Sequence, residues 1–268
     1  MPTDPFSHTR NALHHAVQVP SGLAATHLPR DDQDKYANLG WDPQLRALVS
    51  RGVGRQNDVA AGLRFADGTW IVVRRGVVVA ERALAGSTLM RARTWLQGVV
   101  AGLEIDDREL VPAQYELPNH PAGEGHPLAD LDEAVLKQFD EWFALSHNVL
   151  TGLRSQEPRA SEVRCWPHHF DLATLITLDA DKNPEEARSI GIGMTPGDGH
   201  IHQPYLYVAP WPRPANPTIV TLSRGRWHVD GFVAAVMTIP QPSEPEMSAF
   251  IGEAVAHSHT LLASTSEA

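Results

Sequence analysis

The chain has 268 residues, 42% of them hydrophobic and 20% charged, which is enough for one large domain or two smaller ones around a real core. Its 32 acidic and 22 basic residues give a formal charge of -10, which disfavours a nucleic-acid partner because phosphate binding needs clustered cations. No apolar run approaches the ~20 residues that span a bilayer, Met1–Arg10 lacks an apolar signal core, and the single cysteine excludes an intramolecular disulfide. The composition therefore predicts a soluble, cytoplasmic protein with no membrane partner.

The elements are expected in the following order. Ser7–Gln18 reads as a short helix, stopped or kinked by Pro20. From Asn38 to Arg51, Leu39, Trp41, Leu45, Ala47 and Val49 fall at even spacings, as in a strand. Asp67-Gly68 and Arg75-Gly76 separate Leu63–Phe65, Trp70–Val73 and Val77–Val79, which predicts a meander. Ser87 or Thr88 then caps a helix whose apolar face carries Leu89, Ala92, Trp95, Leu96, Val99 and Val100. Residues 111–128 form a Pro/Gly-rich loop, and a long amphipathic helix follows over Leu131–Leu153.

Ser155–Ser161 marks a joint between an N-terminal half, 1–155, and a C-terminal half, 156–268. Val163–Leu178, Arg188–Met194 and Tyr205–Ala209 read as strands, with further β runs near 218–222 and 227–239. Ser243-Glu-Pro-Glu246 is a capping box that opens a last helix. Strands grouped apart from helices predict an α+β fold with antiparallel sheet, helices packed on one face, and strands before a helix in each half.

The most patterned stretch is 161–212. Trp166, Pro167, His169, Phe170, Asp171, Leu172 and Ala173 form one block; Pro196, Gly197 and Asp198 form a second; Pro204, Tyr205, Tyr207, Val208, Pro210 and Trp211 form a third. These blocks resemble those of an uncharacterised bacterial family, frequent in actinobacteria, with the patterns W-P-x-H-F-D-L-A, S-P-G-D and P-Y-x-Y-V-x-P-W. Thr195 stands here for the serine of the second. The resemblance covers about fifty residues. It implies a shared fold and a candidate surface but no reaction.

His169 and Asp171 are two apart on a predicted strand and so leave the same face, and His200 and His202 do likewise. Imidazole and carboxylate together suit a divalent metal such as Zn, Mn or Fe. The candidate site therefore has His169 and Asp171 as acid/base groups. The metal set is His169, Asp171, His200 and His202, with Trp166, Asp198, Tyr205 and Tyr207 contacting a small molecule. If the 111–128 loop folds over the second half, His126 closes the same pocket. A facial triad completed by His228 lacks the basic residue expected ten positions later, where Thr238 stands. Cys165 sits beside Trp166 in a predicted strand interior, where a thiol behaves as a small hydrophobe. The expected function is small-ligand binding or chemistry at a His/Asp pocket, metal-assisted or not. The alternative is a non-catalytic interaction module whose motifs only build the fold.

Overall fold

The structure is a computed structural model that describes residues 4–31, 34–112, 114–183, 186–214, 219–238 and 243–264. The chain divides into two compact units, Met1–Ala144 with Cys165–Phe170, and Leu145–Arg164 with Asp171–Ala268.

The first unit opens with α1 (Pro5–Ala16), capped by the Asp4 carboxylate, which accepts from the Ser7 N–H at 3.0 Å. At Val17 the chain passes into α2 (Gln18–His27), and Pro20 lies inside that helix. The sequence predicts a stop there because Pro20 has no N–H to give the carbonyl of Ala16. The chain breaks at Val17, Pro20 falls in the first turn of α2, where a helix needs no N–H, and the indole Nε1–H of Trp70 donates to the Ala16 carbonyl at 2.9 Å.

The strand expected over 38–51 is two strands, β1 (Leu39–Asp42) and β2 (Ala47–Ser50), joined by a turn. Asp42 Oδ1 accepts from the N–H groups of Gln44 and Leu45, at 2.9 and 3.0 Å, and Arg46 takes a φ of 48°. The meander is as expected: β3 (Val59–Arg64), β4 (Thr69–Arg74) and β5 (Val77–Ala83). With the short β6 (Arg164–Trp166) they pair antiparallel in the order β6-β1-β2-β3-β4-β5. Thr88 caps α3 (Leu89–Gly102), and α4 (Glu133–Gln156) contributes its residues through Ala144. Aromatic rings fill the core: Phe65 lies 4.8 Å from Phe143, and Phe170 lies 5.7 Å from Phe143 and 5.9 Å from Phe139, centroid to centroid.

In the second unit β7 (Asp171–Thr177), β8 (Ser189–Thr195), β9 (Tyr205–Trp211), β10 (Arg226–His228) and β11 (Ala234–Thr238) pair antiparallel in the order β10-β11-β9-β8-β7. The helix α5 (Glu244–Ser264) packs on β9 and β8. Glu246 makes the return arm of the expected capping box, accepting from the Ser243 N–H at 3.4 Å, and it also accepts from the Ser243 hydroxyl at 2.6 Å. The strand expected over 163–178 is interrupted at 167–170, where Phe170 has a φ of 56°. Residues 219–222 hold no strand, while Thr218, and Ile239 of the run expected over 227–239, lie outside the described residues.

The architecture is mixed α and antiparallel β. In the first unit α1 and α2 precede β1, and α3 follows β5. No helix among the described residues is long and apolar enough to cross a membrane.

Two consequences can be measured by urea unfolding. Trp70→Phe leaves the Ala16 carbonyl without a donor and is expected to cost about 1–3 kcal/mol. Pro20→Ala, which supplies an N–H, should recover stability in that background and not in the wild type; equal effects in both would overturn the account. Phe170→Ala, which removes a buried ring, should cost about 3–5 kcal/mol.

Candidate functional site

The 111–128 loop is the first unit's least regular segment, and it is fastened to the helices. At its start the Val111 N–H donates to Thr26 Oγ1 at 2.8 Å. At its end Leu128 accepts from the Gly86 N–H at 2.7 Å and donates to the Ser87 carbonyl at 2.9 Å. Between these points the prolines supply carbonyls but no N–H groups, so outside donors must satisfy them.

Those donors come from one face of α1, where His8, Asn11 and His15 recur at helical spacing. His8 Nε2 donates to the Ala129 carbonyl at 3.0 Å, and His15 Nε2 to that of Pro118 at 2.8 Å. His120 Nδ1 accepts from the Ala122 N–H at 3.1 Å and so caps a single 3-10 turn, Pro121–Glu124. With Nδ1 accepting, the ring proton sits on Nε2, and that nitrogen is buried with no hydrogen-bond partner. The His120 ring lies 4.8 Å from His8 and 5.9 Å from His15. Burial first, and then these two neighbours, bring its pKa down to about 4. Gly123 is required for the close approach, since a Cβ there would lie 2.8 Å from His15 Cε1.

A cavity of about 410 Å³ lies between this loop and the start of α3. Gln18, Leu89, Arg93, Tyr115, Leu117 and His120 are among its walls. The Tyr115 hydroxyl donates to Gln18 Oε1 at 2.5 Å, and Gln18 Nε2 donates to the carbonyls of His14 and Pro167 at 2.9 and 2.8 Å. Burial pushes the Tyr115 hydroxyl pKa well above its ordinary value, so it remains a donor. Tyr115 and Gln18 also wall a smaller cavity of about 180 Å³, which reaches Tyr36 and His168.

No protein-family model matches the chain, and no curated protein or solved structure does either. The chemistry of the site must be read from its own residues.

The residues singled out by the sequence are distributed as follows. Trp166 is half-buried on β6, and His169 is exposed in the turn after it, not on a strand. The left-handed backbone at Phe170 separates His169 from Asp171, which opens β7, so the expectation that they share a strand face is corrected. Asp171 is buried and accepts from the Tyr207 hydroxyl. Tyr207 lies over Gly193, its register partner, where a Cβ would come within 2.6 Å of the hydroxyl oxygen.

Asp198 accepts from the His200 and Ile201 N–H groups at 2.7 and 2.9 Å and from the Tyr205 hydroxyl at 2.5 Å. Burial raises its pKa, but these hydrogen bonds outweigh that and hold it below the ordinary carboxylate value. Asp171, Asp198, Tyr205 and Tyr207 are thus brought together as two tyrosine–carboxylate pairs, the tyrosine rings 6.4 Å apart. His200 and His202 are exposed, and the nearest rings to His200 are Phe232 at 5.5 Å and His228 at 6.3 Å. Among the described residues no group of three or more His, Cys, Asp or Glu side chains is placed to hold a metal ion. His126 is exposed on the first unit's loop, and Cys165 is buried.

Sequence reasoning passed over Gln18, Arg93, Tyr115 and His120. Two signals pointed to them: the His8/Asn11/His15 face of α1, and a helix start at Thr88 followed by arginines and no acid.

Three imidazoles of this unit are held neutral. His14, which donates to the Pro167 carbonyl at 2.9 Å, and His168 are, like His120, brought down to about 4, chiefly by burial. The unfolded chain therefore takes up more protons between about pH 4 and 6.5, so this contribution to stability is complete above 6.5 and is lost as pH falls toward 4. His14→Gln should flatten that loss by about 3 kcal/mol when urea unfolding is compared at about pH 7 and about pH 4. An unchanged pH slope would contradict the assignment.

Proposed function

We propose that this protein binds a small molecule in the 410 Å³ cavity between the 111–128 loop and α3. The observation that carries this reading is a cavity of ligand size whose wall includes His120, a buried residue whose ring donor, Nε2, has no acceptor among the described residues. Buried donors are nearly always satisfied, and a ligand that brings an acceptor would satisfy this one.

Binding is favoured over metal-assisted chemistry at the His/Asp motif. Asp171 and Asp198 each already hold a tyrosine hydroxyl, and Asp198 also closes its own turn. The Trp/Pro/His/Tyr blocks, and the resemblance to an uncharacterised bacterial family that rests on them, are on this reading mainly fold-building. Phe170 fills the first unit's core, Pro167 supplies the carbonyl that holds Gln18, and Tyr205 and Tyr207 pack against Ile201, Ala234 and Val236.

The test is a fragment screen by saturation-transfer NMR on the wild type and on Leu89→Trp, which fills the cavity from the first residue of α3. Fragments should bind the wild type and lose at least tenfold in affinity in the variant, with thermal unfolding unchanged. Fragments that bind both equally, or none that bind the wild type, would sink the reading.

A further inference from the structure

The walls of the cavity carry an asymmetry of charge. Arg93, on α3, is half-buried and makes no ion pair or hydrogen bond with any described residue. Its helix has no acidic residue in the first turn, and Leu89 and Met90, the first two residues of α3, also line the cavity. Their N–H groups precede the first carbonyl an α-helix can offer, so they add partial positive charge at the same place. Thr88 Oγ1 caps Arg91 at 3.2 Å and leaves those two groups uncovered.

The buried Nε2–H of His120, a residue 6% exposed, adds a third donor with no acceptor. A guanidinium, a helix N-terminus and an orphaned ring donor all ask for the same partner, an anion. Among the other lining side chains, Leu89, Pro112, Leu117, Pro118 and Ala122 offer an apolar surface, beside the polar Gln18, Tyr115 and Asn119.

We infer that the cavity takes a small monocarboxylate with an apolar or aromatic body, its carboxylate held by Arg93 at the α3 N-terminus. A planar carboxylate matches the guanidinium fork, and a single cation compensates a single charge. A dianion is disfavoured because Glu124 also lines the cavity and the chain is -10 overall. This inference rests on the binding reading above, and the experiment separates the two.

Phenylpropionate and its neutral isostere phenylpropionamide are titrated into the full chain at low salt and neutral pH, followed by chemical-shift perturbation. The acid should bind the wild type at least tenfold more tightly than the amide, and Arg93→Gln should abolish the difference without moving thermal unfolding. His120→Asn keeps a side-chain oxygen to cap the 3-10 turn but removes the ring donor; it should weaken the acid severalfold. Phenyl phosphate should bind more weakly than the acid.

If acid and amide bind equally, the carboxylate assignment falls while the binding reading stands. If the acid is preferred but Arg93→Gln leaves the preference intact, the role of Arg93 is overturned. Tighter binding of phenyl phosphate overturns the monoanion. If neither the acid nor the amide binds at millimolar concentration, both readings fail.

Discussion

The first unit depends on one side chain in an unusual backbone conformation. Phe170 sits at a φ of 56°, a region that a bulky residue enters only when its surroundings compel it. The compulsion is burial: its ring packs among Phe65, Phe139 and Phe143 and against the His14 imidazole at 5.2 Å. Placing that ring inward forces the 167–170 turn, and the turn presents the Pro167 carbonyl to His14 and Gln18. Gln18, with both amide hydrogens and its oxygen engaged, then fixes the Tyr115 hydroxyl. A cavity wall is thus set by a phenylalanine in the core through three hydrogen bonds, and each step satisfies a group that would otherwise be buried without a partner.

The same logic explains why prolines and histidines are so numerous here. Each proline removes a donor and leaves a carbonyl that something else must reach. At Pro20 the missing donor is the indole of Trp70; at Pro118 it is His15, and at Pro167 it is His14 and Gln18. A neutral imidazole suits this task, because it brings one N–H without a buried charge. Of the fourteen histidines, His14 and His15 serve in this way.

Much of the fold could be read from the sequence, and the failures share a cause. The meander, the Thr88 cap and the Ser243 capping box depend on residues within a few positions of one another, and local chemistry was enough to find them. The break before Pro20 is local and legible, but the Trp70 indole that satisfies the Ala16 carbonyl lies on β4, too far along the chain to read. The strand over 163–178 was misread because the period-two pattern continues through Phe170, while tertiary burial breaks the backbone there. The same holds at the candidate site: spacing alone puts His169 and Asp171 on one strand face, and the left-handed backbone of Phe170 between them breaks that period. Arg93, Tyr115 and His120 carry no motif and meet only through the loop's attachment to α1.

The electrostatics of that meeting place follow from composition more than from any single contact. Several arginines of the first unit are matched: Arg64 with Asp67 and Glu81, Arg74 and Arg75 with Asp58, Arg46 with Asp140. Arg93 has no such partner among the described residues, and it lines the cavity beside the α3 N-terminus in a chain with ten more acids than bases. The surrounding negative field repels polyanions and lowers the local concentration of any anion. A ligand must then recover in the cavity, by apolar burial and by direct contact with Arg93, what it loses on approach. That requirement selects for a small ligand with one charge and a sizeable apolar body, and against a highly charged one of the same length.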